Sequence, residues 1–218
     1  MFKKPGTKID EEWMTTYSDM VTLLLCFFVL MLAASKPDIS KYEQIRSGMN
    51  EALGKKDINK PIEMMIVELS EDIQSLNVEE GVALGTDARG VVIELTDGYL
   101  FSPGSSNIRK DAIPTLKRLA ATLKSERYGQ FNFNIEGHTS NEKSSNHQYL
   151  SNWELSSARA SAVASFMEER GIARVRIKVT GMYDNAPKYP NFNPFGEAIP
   201  QNQRKNRRVV IHVEPHFN

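Results

Sequence analysis

Two sets of residues in this 218-residue chain have types and spacings suited to chemistry. The first is a single carboxylate, Asp19, inside the otherwise uncharged run Trp13–Ser35, WMTTYSDMVTLLLCFFVLMLAAS. A charge near hydrocarbon is costly, so an acid there marks a functional site by default. It faces a partner helix or a wet path, and a lone Asp so placed suits reversible binding of a cation. Thr22, one turn further on, offers an oxygen ligand to sodium. The second set lies in three outer segments: FNIEGHTS at 133–140, SNWELSSARASAVASFM at 151–167 and QRKNRRVVIHV at 203–213. Within them Arg159 stands out, because a planar guanidinium presents paired donors to a carboxylate in a way Lys cannot copy.

The elements that must position these residues follow from periodicity. The apolar run is long enough to span a bilayer, which takes about 20 residues. Asp19, Thr22, Cys26 and Ala33 share one polar or small face of it, the kind that packs against protein rather than lipid. Lys3, Lys4 and Lys8 precede the span and place the N-terminus in the cytoplasm, leaving everything after residue 36 outside. The acids Asp10, Glu11, Glu12 and Asp19 argue against a cleaved signal peptide. Next comes an amphipathic helix, with Ile39, Tyr42, Ile45, Met49 and Leu53 on one stripe and Gly54 ending it. A further helix starts at Pro61, with a seam Ile62, Met65, Ile66, Leu69, Ile73 and Leu76; the two read as connector helices or, for one directly outside the membrane, as a helix lying on the bilayer surface.

The globular part is expected from Gly81. Val82–Thr86 and Val91–Leu95 flank a short turn and form a hairpin. Helices are expected over Lys110–Ser125 and Asn152–Glu169, the latter stopped by Gly171. Alternation marks strands through Phe131, Phe133 and Ile135, through Val175, Ile177 and Val179, and over Val209–Val213. Pro187 to Pro200 reads as a long surface loop. Strands and helices in this order predict an α/β sandwich, a mixed sheet with helices on one face. Domain bounds are therefore a cytoplasmic N-terminus 1–12, a transmembrane helix 13–35, linker helices 36–80, and a globular domain 81–218.

Several chemistries are set aside on composition. Lys+Arg and Asp+Glu balance at 27 each, so no overall field points to nucleic acid or an acidic substrate. Cys26, the sole cysteine, lies in the apolar run, which leaves no thiol for metal or nucleophilic work outside it. His138, His147, His212 and His216 match no zinc spacing, so no metal is expected. Gly104-Ser105-Ser106 is no nucleophile elbow. Arg204, Lys205, Arg207 and Arg208 read as a strand entry with solvated guanidiniums rather than a nucleic-acid patch.

The outer segments resemble the OmpA-like peptidoglycan-binding domain, through the spacing Asn152, Leu155, Ser156, Arg159, Ala160, Val163. With EEWMTTYSDMVTLLLCFFVLMLAASKPD in front, the chain resembles MotB-type flagellar stator subunits from about Glu11 to Val213. The resemblance implies a non-enzymatic subunit without cofactor, handling only a transported proton or sodium ion. It implies a homodimer surrounded by five copies of a polytopic MotA-type partner in the bacterial inner membrane, with Asp19 in the ion path. It implies that Arg159 binds the carboxylates of diaminopimelate in the peptide stem. Asn152 would orient the loop carrying His138, Thr139 and Ser140, and Tyr42, Ile45, Met49 and Leu53 would form the plug. Ser140 departs from the family pattern Gly-His-Thr-Asp, and Asn141 and Glu142 are the adjacent candidates to replace the missing acid. The same architecture implies two other machines: the membrane subunit of a Zorya-type anti-phage system, and a passive peptidoglycan tether.

Overall fold

The computed structural model describes residues 12–34, 61–142 and 148–216. The plug residues Tyr42, Ile45, Met49 and Leu53 lie outside the described residues. The chain divides into two units, Met1–Pro37 and Asp38–Asn218. In the first, helix α1 (Glu12–Ala34) is a single 23-residue helix, about 34 Å at 1.5 Å per residue. Its large apolar side chains, from Trp13 to Leu32, are all exposed, a surface that only lipid or another protein can cover. The helix therefore meets the length and composition of a membrane span.

The second unit is a five-stranded mixed sheet with its helices on one face. Its elements are α2 (Pro61–Leu76), β1 (Val82–Asp87), β2 (Gly90–Thr96), the one-turn α3 (Asp97–Leu100), α4 (Ile113–Lys124), β3 (Phe131–His138), α5 (Asn152–Glu169), β4 (Ile177–Tyr183), α6 (Pro200–Asn206) and β5 (Arg208–Pro215). Strand order is β1-β2-β5-β3-β4, antiparallel throughout except for β3 with β4. The parallel pair needs a crossover, and α5 supplies it. The core lies between sheet and helices, where Ile93, Leu95, Phe133, Ile135, Val209 and Ile211 meet Leu116, Leu119, Leu123, Ala160 and Val163.

Helix α5 starts sharply. Ser151 caps it by accepting from the Glu154 N–H at 3.3 Å, while the Glu154 carboxylate reaches back to the Leu150 N–H at 2.7 Å, a reciprocal arrangement of the capping-box kind. It also lies unusually close to the sheet. A Cβ at Gly137 would sit 2.0 Å from the Ser156 carbonyl oxygen, and one at Gly181, its partner on β4, 2.1 Å from Ser157 Oγ. These two glycines let the helix backbone descend onto the strands. One turn past Ser156, this close approach buries Arg159.

Two expectations need revision. Helix α2 is no linker: Ile62, Met65, Leu69 and Ile73 are buried in the same core as the sheet, and Asp72 accepts from Thr122 on α4 at 2.6 Å. The domain therefore begins at Pro61 or before, because the helical face of the sheet is incomplete without that stripe. Val175 does not start the fourth strand. Residues 174–176 form a 3-10 turn in which Val175 is 93% exposed, and β4 opens at Ile177. If α2 is part of the core, Leu69→Ala, which empties a fully buried site, should cost about 2–5 kcal/mol in chemical denaturation. A midpoint equal to wild type would return α2 to the role of a linker.

Candidate functional site

The register of the sheet brings three strand ends together. Thr96 pairs with Arg208, and His138 pairs with Arg208 from the other side. The next residues outward, Asp97, Arg207 and Thr139, therefore meet where β2 and β3 end and β5 begins. The Asp97 N–H donates to the Arg207 carbonyl at 3.1 Å. Arg159 descends from α5 onto this point. Its Nη2 lies 2.7 Å from Asp97 Oδ1, its Nε–H donates to the Ser105 carbonyl at 3.0 Å, and its guanidinium stands 5.4 Å from the Phe101 ring centre.

These residues form the floor and walls of a cleft of about 690 Å³. Among the described residues, Arg109, Arg159, Arg204, Lys205 and Arg207 line it against Glu80, Asp97 and Glu142, so it is positive on balance and suits an anion. Burial dominates its electrostatics. Asp97 is driven above the usual carboxylate range by desolvation, which the charges of Arg159 and Arg207 offset only in part. Desolvation likewise lowers Arg159, with Asp97 opposing; a guanidinium stays charged under such a shift. Both ions are held in conditions that favour additional partners of opposite sign.

The loop after β3 forms one wall. Asn152, 7% exposed at the start of α5, donates to the carbonyls of Ser140 at 3.3 Å and Glu142 at 2.6 Å, which shapes the loop. Ser140 Oγ donates to Glu142 Oε2 at 3.1 Å, and Arg207 Nη1 contacts both groups. A carboxylate two residues downstream thus stands beside the serine that occupies the family's Asp position. Gln203 of α6 donates to Asn141 Oδ1 at 3.0 Å and ties the loop to α6.

Thr139, Ser140, Asn152 and Arg159 share this one cleft; His138 does not. Strand alternation turns it to the open face of the sheet, where it lines a separate hollow of about 400 Å³ with Glu136, Arg208 and His212. There His138 Nε2 and His212 Nε2 lie 3.5 and 3.3 Å from Glu136 Oε2. Interaction with His138 first, then His212, holds the Glu136 carboxyl well below the usual range. Burial pushes His138 down, toward the neutral form.

The basic cluster also differs from expectation. Arg207 and Arg208 are half-buried and engaged rather than freely solvated: Arg207 faces Asp97 and Glu142, while Arg208 donates to the carbonyls of Asn206 at 3.1 Å and Ala186 at 3.2 Å. Asp97 and Arg207 are the participants that periodicity missed. Only the pairing of β2 with β5 makes them neighbours. On α1, Thr22 donates to the Asp19 carbonyl at 2.8 Å, leaving its oxygen lone pairs to accept.

Comparison with known proteins follows the same division. Residues 2–53 match a family model described as the membrane MotB of the proton-channel complex MotA/MotB, and residues 100–210 match that of the OmpA family. The chain belongs to the OmpA family, as a MotB-type member. It is 28% identical to the uncharacterized protein YtxE of Bacillus subtilis, across 96% of this chain and 90% of that one. It is 24% identical to Motility protein B of the same organism, across 98% and 94%. Among solved structures, the cell wall anchor of the T6SS from Pseudomonas aeruginosa shares 27% identity, covering 68% of this chain and 97% of that one with a TM-score of 0.57.

The hollow around Glu136 gives a pH prediction for this family member. Its carboxyl titrates below the ordinary 4.5 in the folded state. Its contribution to stability is therefore complete above pH 4.5 and is lost as pH falls toward the folded value. Glu136→Gln should be less stable than wild type at pH 7, and the gap should close as pH drops below about 4.5. Denaturation midpoints measured across pH check this; a gap that stays constant with pH would show that Glu136 is not held ionised.

Proposed function

We propose that this chain is the single-span subunit of an ion-driven stator whose outer domain grips the peptide stem of peptidoglycan. The observation that carries the proposal is the buried guanidinium of Arg159 at the base of a cation-rich cleft. The guanidinium has five donors. Ser105 and Asp97 engage one edge of it, and a stem carboxylate entering the cleft would take up further donors. Ser105, Asp97 and the Phe101 ring hold the group in one orientation, so little side-chain entropy is lost on binding. Glu142, beside Ser140 and Arg207, is positioned to receive the amino end of diaminopimelate in place of the family's Asp.

The motor half rests on Asp19 in the apolar helix and on the match of residues 2–53 to the MotB model. In this reading two copies sit inside a ring of five MotA-type subunits in the bacterial inner membrane, N-terminus in the cytoplasm and outer domain in the periplasm. Asp19 binds a proton or sodium ion, with Thr22 as an oxygen ligand for the latter. Neutralisation removes the cost of a bare charge, so occupancy shifts helix packing. Residues 41–54 act as the plug, and the chain catalyses no reaction.

Both halves are open to test on the full chain. Arg159→Lys keeps the positive charge opposite Asp97 but loses the paired donors. Its retention on isolated peptidoglycan should fall at least about tenfold, equivalent to about 1.4 kcal/mol, with the melting temperature little changed. Retention equal to wild type would show that Arg159 only supports Asp97. For the motor half, Asp19→Asn should assemble with the polytopic partner yet deliver no ion-driven rotation, since an amide cannot alternate between bare and ion-bound charge. Undiminished torque at matched partner levels would leave a passive tether.

A further inference from the structure

The segment Pro187–Pro200 is ordered without being buried. Phe192 and Ala198 bridge as a short antiparallel pair, the Ile199 N–H donates to the Asn191 carbonyl at 2.9 Å, and Gly196 turns the tip at φ 83°. Asn193 Oδ1 accepts from the N–H groups of Phe195 and Glu197 at 3.0 and 2.9 Å. At the base, Asn206, 1% exposed, accepts from the Lys188 and Tyr189 N–H groups and donates to the Tyr189 carbonyl and Asn191 Oδ1. Amide hydrogen bonds hold this hairpin. Its aromatic rings are left open to different degrees: Tyr189, under the Lys205 ammonium, is 38% exposed, Phe192 49% and Phe195 89%. Rings presented on a hydrogen-bonded frame offer a ligand large, stiff contact area at low entropic cost.

What the rings meet follows from where the hairpin is attached. Helix α6 carries its anchor Asn206, the cleft-lining Arg204 and Lys205, and Gln203, which bonds Asn141 between the cleft-lining Ser140 and Glu142. The Lys205 ammonium stands 5.2 Å from the Tyr189 ring centre, so the first ring adjoins the cleft lining. A peptide stem in that cleft is covalently joined to an amino-sugar chain, which must leave along the rim. A pyranose presents apolar C–H faces to a ring and hydroxyl or acetamide groups to side-chain amides. The hairpin offers the rings, and the Glu197 carboxylate, held by Asn193 at 2.8 Å beside the tip, stands ready to accept from a hydroxyl. A lipid or protein partner would call for a continuous apolar patch, whereas Asn191 and Asn193 separate these rings along the hairpin.

We propose that the Pro187–Pro200 hairpin is a stacking platform for the glycan strand of the wall, a second subsite beside the cleft. This rests on the stem-binding reading above and adds the saccharide to it. The test uses the full chain in detergent micelles with three probes: intact sacculi, a soluble diaminopimelate-containing tripeptide, and glycan strands stripped of peptide by an amidase. The Phe192→Ala/Phe195→Ala variant should bind sacculi and stripped strands about five- to tenfold more weakly than wild type and the tripeptide unchanged. Phe195→Trp should retain strand binding and Phe195→Leu should lose it, since stacking needs a ring rather than mere bulk. Arg159→Lys should show the opposite pattern, losing the tripeptide and keeping stripped strands. Strand binding that is absent in wild type, or unaffected by the double variant, overturns the platform while tripeptide binding still stands. A ring-dependent change in oligomeric state with unchanged strand affinity overturns it in favour of contact between copies. Ring-dependent strand binding without any tripeptide binding upholds the platform and overturns the stem reading.

Discussion

A guanidinium and a carboxylate buried side by side, Arg159 and Asp97, set the conditions for the rest of the outer domain. Arg159 is 3% exposed, and taking such a charge out of water costs several kcal/mol unless its partners are well placed. The partners come from three places in the chain: the end of β2 gives Asp97, the turn beyond Phe101 gives the Ser105 carbonyl, and the start of β5 gives Arg207 as a second cation beside Asp97. None of these can shift far without stranding a buried ion. The pair therefore constrains where β2 ends, how β5 begins and how deeply α5 sits.

That depth is reached by removing side chains rather than adding contacts. Gly137 and Gly181 face each other across the parallel β3–β4 pair, and α5 occupies the space their Cβ atoms would fill. Where β3 leaves the sheet the pairing is irregular, and Tyr183 adopts φ 53° opposite the break. Its carbonyl accepts from the Thr139 N–H at 2.9 Å, and its ring stacks on Trp153 at 5.4 Å. A non-glycine residue in that conformation carries strain of order 1 kcal/mol or more. It sits where the strand hands over to the loop of Thr139 and Ser140, so the strain is spent at the cleft wall.

The two faces of the sheet divide the polar work. The helical face ends in the cation-rich cleft, while the open face carries the Glu136 hollow, with His138 and His212 on the carboxylate and Arg89 Nη1 3.2 Å from its other oxygen. His138 and Thr139 are adjacent in sequence yet belong to opposite faces. A sequence motif that reads as one ligand loop is thus split by the period of a strand.

Much of this protein was legible in its residues. The 3.6-residue spacing of Asn152, Leu155, Ser156, Arg159, Ala160 and Val163 places them on one helical face, and all six are buried. The apolar run around Asp19 is long enough for one span, and α1 covers it; the hairpin of β1 and β2 announces itself by alternation about a short turn. Periodicity is a local property and survives in one dimension. The stripe on α2 was equally visible, but its destination was not, because a seam of apolar residues does not say which surface it will meet. Asp97, Arg207 and Glu142 carried no spacing at all. They became a site through strand register, by which Thr96 and His138 both pair with Arg208, and through the turn that carries Ser140 and Glu142 back toward Arg207. Charge pairing between distant segments depends on distances that only the folded sheet creates, and so the tertiary structure alone decided which cations face the cleft and which histidine faces away.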